Sequence, residues 1–483
     1  MHSYCHIMPV RGKIIFVYSL TLVVVCCRMN FAYSIANSIK SVILTQASAN
    51  KQIGSSGSSV SIISSKKDLE DPSQNNNDKR GDDSDVINAI ALIAGTTVGA
   101  GILALPSISK ETGFLYSSLG LVGSYIFMLV TGLFIAEVNC NLMASKDRQQ
   151  AARGEAESIG VLSMATQTLG NGVGTASGLI YVFMHYALLV AYISQGGKIL
   201  SEALSLSPLA GMSAFTAAIG GTLALAPKEV VARMNNAFVV VVLSSFLLLV
   251  VCGTQSITNL SSLFEKNDLA ALWSIIPVML VALVYHNVVP SVSAQLKYNK
   301  KKITKAITIG SLIPLGMFVL WNFVILGIGA SQNGADIESI PQSSTIMPTA
   351  ISVFSESAII TSFIGFVIGL LSFFNDLFAS SKADKSEQKQ QYLSAEAKSK
   401  LIYALTLMPP FILALLNPDI FLQALDVSGT YGISILFGAL PAAMVMKLRG
   451  DNKGNERYET FVGGGAAVPV LVLFLTAAVI FTH

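Results

Sequence analysis

Residues 94–106 read AGTTVGAGILALP. They lie inside an apolar run long enough to cross a bilayer, yet they hold Gly95, Gly99 and Gly101 and the adjacent Thr96 and Thr97. A glycine in a helix interior costs about 1 kcal/mol relative to alanine, so this stretch weakens a membrane-length helix at its middle. Backbone N–H and C=O groups cannot go unpaired in hydrocarbon. Irregular backbone survives there only where protein buries it or where it lines a cavity. The stretch therefore points to something polar to be bound.

The rest of the chain makes a membrane the right setting. Hydrophobic residues are 52% of the 483 and charged residues 12%, with a mean hydropathy of +0.62. A globular domain carries about 25% charge, so this composition cannot cover a surface facing water. The net charge of +3 is small and diffuse, which excludes a nucleic-acid binder. Of five cysteines, Cys5, Cys26 and Cys27 fall in the N-terminal segment and only Cys140 and Cys252 in apolar spans. No disulfide framework or metal-ligand cluster is expected, and no cofactor.

Residues 1–84 are set apart as a targeting presequence and disordered tail. Arg11 and Lys13 precede the apolar run IIFVYSLTLVVVCC, which Arg28 ends. That run suits a signal core better than a full span. The following stretch to Lys67 is rich in Ser, Ala and Asn and has no acid, the composition of a transit segment. KKDLEDPSQNNNDKRGDDSD then reads as disordered. A signal followed by a transit-like segment resembles the bipartite presequences of algae with complex plastids, which implies the plastid envelope; a signal anchor is the alternative. Residues 85–483 form the transmembrane domain.

From residue 85 eleven apolar segments are long enough to cross, given about 20 residues per crossing: roughly 86–108, 113–142, 172–197, 208–226, 235–254, 270–296, 306–330, 352–380, 399–416, 419–446 and 461–481. Eleven crossings sort the connecting segments into two sets. One carries 19 Lys and Arg, the other only Lys110, Lys198 and Lys266. Basic residues gather on one side of a membrane, and a missed span would scramble this alternation. The count places the N-terminus inside and keeps the glycine run within one crossing. The basic loop 297–305, KYNKKKITK, helps to set this topology and offers contact to anionic lipid.

The sixth segment is interrupted too. In LWSIIPVMLVALVYHNVVPSVSAQL, Tyr285, His286 and Asn287 sit at the centre and Pro290 follows. Proline lacks an N–H and disfavours helix at the residue before it. Segments one and six hold the same place in two five-span halves, and an odd repeat inverts the second half. Paired broken helices in inverted repeats point to a midplane substrate site in a secondary transporter. A half-helix starting near Gly101 offers N–H groups and a positive dipole end to a carboxylate. Freed carbonyls accept from an ammonium group or coordinate a cation, and glycine lets the ligand come close. A zwitterionic amino acid fits this set.

The expected substrate contacts are Gly95, Thr97, Gly99, Ala100, Gly101, Tyr186, Tyr285, His286 and Asn287. Tyr186 or Tyr192 in the third span is a stacking partner for an aromatic substrate. Glu137, His286 and Asp376 are proton-coupling candidates, since intramembrane ionisable groups default to function. Each has a plainer reading. Gly95-x-x-x-Gly99 is also a helix-packing motif, mid-helix threonines back-bond to their own helix, and Glu137 can pair with a basic residue. A channel shows no filter loop here. An enzyme or ATP-driven pump shows no paired carboxylates, HExxH or Walker A sequence.

INAIALIAGTTVGAGILALPSISKETGFLYSSLGLVGSYIFMLVTGLFIAEVNCN resembles the opening of the tryptophan/tyrosine (hydroxy and aromatic amino acid) permease family. YHNVVPSVSAQL, IPLGMFVLWNFVILG, AYISQGG and LDVSGTYGISILFGALPA extend the likeness over about residues 85–482, especially to a plant and algal tyrosine-permease-like branch. The resemblance implies an all-α, LeuT-type 5+5 inverted repeat with discontinuous helices 1 and 6 plus one extra helix, and proton-coupled uptake of Tyr, Trp or Phe. Sodium coupling or another amino acid is the alternative. Bacterial members carry a Gly-rich break in the sixth span; this chain carries VYHNVVP.

Overall fold

The computed structural model describes residues 72–144, 159–257, 260–265, 268–331, 346–379, 388–452 and 454–483. The signal-like run, the transit-like stretch and the polar tail as far as residue 71 lie outside these residues. Every regular element among the described residues is helical. The first ten are α1 (Pro72–Thr97), α2 (Gly101–Ala144), α3 (Val161–Leu169), α4 (Asn171–Leu204), α5 (Pro208–Phe215), α6 (Gly221–Leu225), α7 (Lys228–Gln255), α8 (Leu272–Ala282), α9 (Val289–Gln295) and α10 (Lys300–Ser331). Then come α11 (Ile346–Ala379), α12 (Gln388–Leu416), α13 (Phe421–Val427), α14 (Leu440–Asp451) and α15 (Ala467–Thr482). Wider π-turns join α5 to α6 over Thr216–Gly220 and α13 to α14 over Ser428–Ala439. Among the described residues nine helical stretches are long and apolar enough to cross a membrane, and Ser84–Thr97 and Ala467–Thr482 are shorter apolar helices.

α2 is too long for one crossing. Its apolar stretch of 43 residues would measure about 65 Å as a straight helix. Gly113 bends it, with φ 76° and ψ 168°, a combination open essentially to glycine alone. It divides 101–112 from 114–144. Gly170 takes nearly the same conformation, φ 93° and ψ 168°, between α3 and α4, so α4 starts anew at Asn171.

Two sequence expectations change here. The polar segment expected to be disordered is helical from Pro72, where the described residues begin. The expected basic loop 297–305 is mostly helix. Lys297 and Tyr298 make the turn with positive φ, and α10 starts at Lys300. Lysine stems can lie along apolar surface with their charges in water, so a basic run need not end a helix.

The helices pack in two groups. α1, α2, α8, α9 and α10 pack on one another, while α4, α5, α7, α11 and α12 form the second group. The α13–α14 rod bridges them, touching α4 on one side and α8 and α2 on the other. Trp321, Phe134, Phe318, Phe354 and Phe363 are fully buried. Val240, Leu243, Leu247 and Val251 are exposed at helical spacing on α7, which is the face a helix turns to lipid.

Candidate functional site

The two interruptions meet. α1 stops at Thr97 and α2 starts at Gly101. The Val98 N–H still reaches the Ala94 carbonyl at 3.1 Å, and Ile102 and Leu103 then bond to Gly99 and Ala100 in a tight opening turn, at 3.2 and 3.1 Å. Among the described residues the Gly99 N–H has no hydrogen-bond partner. The Ala100 N–H donates to the Ser362 hydroxyl of α11 at 2.8 Å. A Cβ on Gly99 would run into that hydroxyl, and a Cβ on Gly101 would stand 2.7 Å from Ala282 Cα. Ala282 is the last residue of α8, so the broken ends of the first and sixth apolar segments touch backbone to backbone.

The second interruption has different chemistry. Three residues follow α8, then His286–Val288 turn tightly into α9. The Tyr285 hydroxyl donates to the Met128 carbonyl of α2 at 3.0 Å. His286 is fully buried. Its ring stacks between Tyr285, at 4.8 Å, and Phe437, at 5.0 Å. Its Nε2 lies 2.9 Å from the Thr131 hydroxyl, while Nδ1 has no partner. Phe437 sits in the wide-turn segment Ser428–Ala439; such segments recur at functional sites. Asn287 is exposed.

Residues 83–483 match the tryptophan/tyrosine permease family. The chain belongs to that family. It is 28% identical over 403 residues to tyrosine-specific transport system 1 of Haemophilus influenzae, covering 80% of this chain and 94% of that one. It is 25% identical over 411 residues to the tryptophan-specific transport protein of Shigella flexneri, covering 80% and 92%. A further relative, 23% identical over 405 residues, is glutamine transporter 2 of Aliivibrio fischeri, covering 79% and 95%. These are transport proteins, and the permease is not an enzyme.

The permease brings some expected residues together and leaves others apart. Gly99, Ala100, Gly101, Tyr285 and His286 gather where the breaks meet. Gly95 does not: a Cβ there meets nothing within 4 Å, and the residue is exposed. Thr97 is buried, but its hydroxyl donates to the Ile93 carbonyl at 2.7 Å, leaving only lone pairs to offer. Tyr186 points away; its hydroxyl donates to the Leu405 carbonyl of α12 at 2.6 Å. Tyr192, six residues on, is buried and packs beside Phe366 of α11 at 5.7 Å.

The acids differ as sharply. Glu137 is fully buried and receives four hydrogen bonds: Arg449 Nε at 2.7 Å, Arg449 Nη2 at 2.8 Å, the Tyr458 hydroxyl at 2.9 Å and the Phe461 N–H at 2.8 Å. Lys300 donates to the Thr460 carbonyl beside it. This network pins the segment between α14 and α15 to the end of α2. Beside Glu137, burial and the carboxylate's charge hold the Tyr458 phenol above its ordinary range. A carboxylate bound this fully is an anchor rather than a proton carrier. Asp376 is exposed near the end of α11. Among the described residues no three His, Cys, Asp or Glu gather as a metal site.

On the far side of the breaks from Gly95 lies a cavity of about 410 Å³, lined by Ser107 of α2, Ser194 and Lys198 of α4, Ser355 of α11, and Phe421. Sequence reasoning missed Ser362, Thr131 and Phe437, because one serine, threonine or phenylalanine in an apolar span carries no signal. It also missed Glu356 of α11, where a signal existed: an acid inside the apolar run VFSESAII.

Proposed function

We propose that this permease is a secondary active transporter that carries an aromatic amino acid, tyrosine or tryptophan, together with protons by alternating access. One observation carries the reading: Gly101 sits directly on Ala282 where two broken helices meet, with the Gly99 N–H unpartnered beside them. A helix start with free N–H groups suits a carboxylate. Gly99 and Gly101 would hold that end of the substrate, with Ala100 kept in place between them by Ser362. Asn287, exposed beside the second break, would supply a polar contact, and Tyr192 and Phe366 offer rings for stacking.

The architecture proposed with it has eleven crossings. α1 and residues 101–112 make the first and residues 114–144 the second; α8 with α9 is the sixth, and α15 the last. The alternating loop charge supports that count, and the matching positions of the two breaks support a LeuT-type 5+5 inverted repeat with one extra helix. The group containing α1, α2, α8, α9 and α10 would rock against the group containing α4, α5, α7, α11 and α12. Lysines 297–305 would meet anionic lipid on the inner side. Residues 1–84 would deliver the chain to a plastid envelope, which a fusion of that segment to a fluorescent protein tests directly.

The transport reading is tested in proteoliposomes. Tyrosine and tryptophan uptake should be concentrative under an inward proton gradient and should collapse in Gly99→Val. Uptake that never concentrates and ignores both proton and sodium gradients would sink the symporter. The glutamine-named relative favours one second reading, a wider substrate range; competition by unlabelled glutamine decides it.

A further inference from the structure

We infer that Glu356 is the carboxyl that couples the proton to transport, an inference resting on the proton-driven reading above. Among the described residues only two acids are buried, Glu137 and Glu356. Glu137 is saturated by Arg449, Tyr458 and Phe461. Glu356 is 6% exposed, its Oε2 has no hydrogen-bond partner, and among the described residues no cation pairs with it. An unpaired carboxylate taken out of water costs several kcal/mol. In this arrangement the side chain is accommodated as the neutral acid. It can give up its proton only where water or a cation reaches it.

The fold shows how that condition reaches the substrate site. Ser355, the preceding residue, lines the 410 Å³ cavity, whose rim carries Lys198. Ser362, six residues further along α11 and about 9 Å along the axis, holds the Ala100 N–H at the first break. One rigid helix therefore bears both the unpaired carboxyl and the hydroxyl that clasps the break. With the proton on Oε2, α11 packs as observed. With the proton gone, the carboxylate demands water or a cation, and the packing of α11 that satisfies Ala100 is no longer favoured. A proton that distinguishes two packings shifts their populations by its differential affinity. The proton passes from water onto a Glu356 oxygen on one side of the membrane and leaves to water on the other; no other bond changes.

Other titratable groups stand on the helices packed against α11. From α4 these are Tyr181, His185 and Tyr192, and Lys198 and Glu202 at the cavity. α7 brings Cys252 at one end and Glu229 and Arg233 at the other. α12 brings Lys398, Lys400 and Tyr403 near its start. Asp419 faces α11 across the cavity. None of them is both buried and acidic.

The test separates driven uptake from exchange. Wild-type protein in proteoliposomes should accumulate labelled tyrosine about tenfold per pH unit for one proton carried. Glu356→Gln should lose that accumulation entirely while keeping tyrosine counterflow, which needs no gradient, within about twofold. Glu356→Asp should keep accumulation with a shifted pH midpoint. Wild-type accumulation in Glu356→Gln overturns the assignment. So does loss of counterflow in a variant that still elutes as the wild type does, since the residue would then serve binding or packing. Should Glu356→Gln fail to fold, an unchanged pH profile in Glu356→Asp overturns it instead. A wild type indifferent to the proton gradient overturns the proton-driven reading itself, and this inference with it.

Discussion

The two breaks solve one problem by opposite means. The first, at residues 98–100, is made of small residues and is held from outside its own group, through Ser362 of α11. The second is made of large rings and is held within its own group and the bridging rod, through Thr131 and Met128 of α2 and through Phe437. The first leaves a backbone donor open and depends on closeness. The second fills its own space and depends on packing. An interruption in a membrane helix is therefore not one device. If the two groups rock as proposed, a break held across them would feel that motion, while a break held within one group would move with it.

Substitutions can break or sharpen this contrast. Gly101→Val should have the largest effect. Its new side chain must displace the Ala282 backbone at 2.7 Å, an overpacking of about 3 kcal/mol, and tyrosine uptake should vanish; wild-type uptake would show that the breaks need not touch. His286→Ala empties the slot between two rings and should cost about 3 kcal/mol, seen as a lowered Tm in detergent with uptake falling alongside. Ser362→Ala should divide the two readouts. It strips the Ala100 N–H of its partner at roughly 1–3 kcal/mol, and should cut uptake about tenfold with a smaller change in Tm; a large Tm loss with normal uptake would make Ser362 mere packing. Gly95→Ala should do least. Its Cβ meets open space, and alanine gains up to about 1 kcal/mol in a helix, so Tm should hold or rise and uptake persist. Lost uptake there would return Gly95 to the substrate's surroundings.

What was legible in the sequence follows from what a bilayer forbids. Glycines and polar residues inside apolar runs stand out because lipid tolerates neither loose backbone nor unpaired polarity. That marked both breaks and, with the motifs around them, the family. What lay hidden was facing. Tyr186 and Tyr192 sit six residues apart on α4, about 240° around it, and only packing shows that one ties α4 to α12 while the other meets Phe366 of α11. Partners across helices were equally silent: nothing local in Glu137 names Arg449. Glu356 stands out as an acid in an apolar run, but nothing local in the sequence says that its carboxyl is buried without a partner. The helix from Pro72 was missed because a helix propagates from an established end more easily than it nucleates, whatever the local composition suggests.

The pairing of Glu137 with Arg449 also sets a timetable. The two residues are 312 positions apart in the chain. A ribosome adding about 5–20 residues per second needs roughly 15–60 s to supply the arginine after the glutamate. Throughout that interval the newborn α2 carries a charge with no mate, and the end that holds Glu137 must stay at the water's edge. Only when α14 emerges can that end of α2 be sealed.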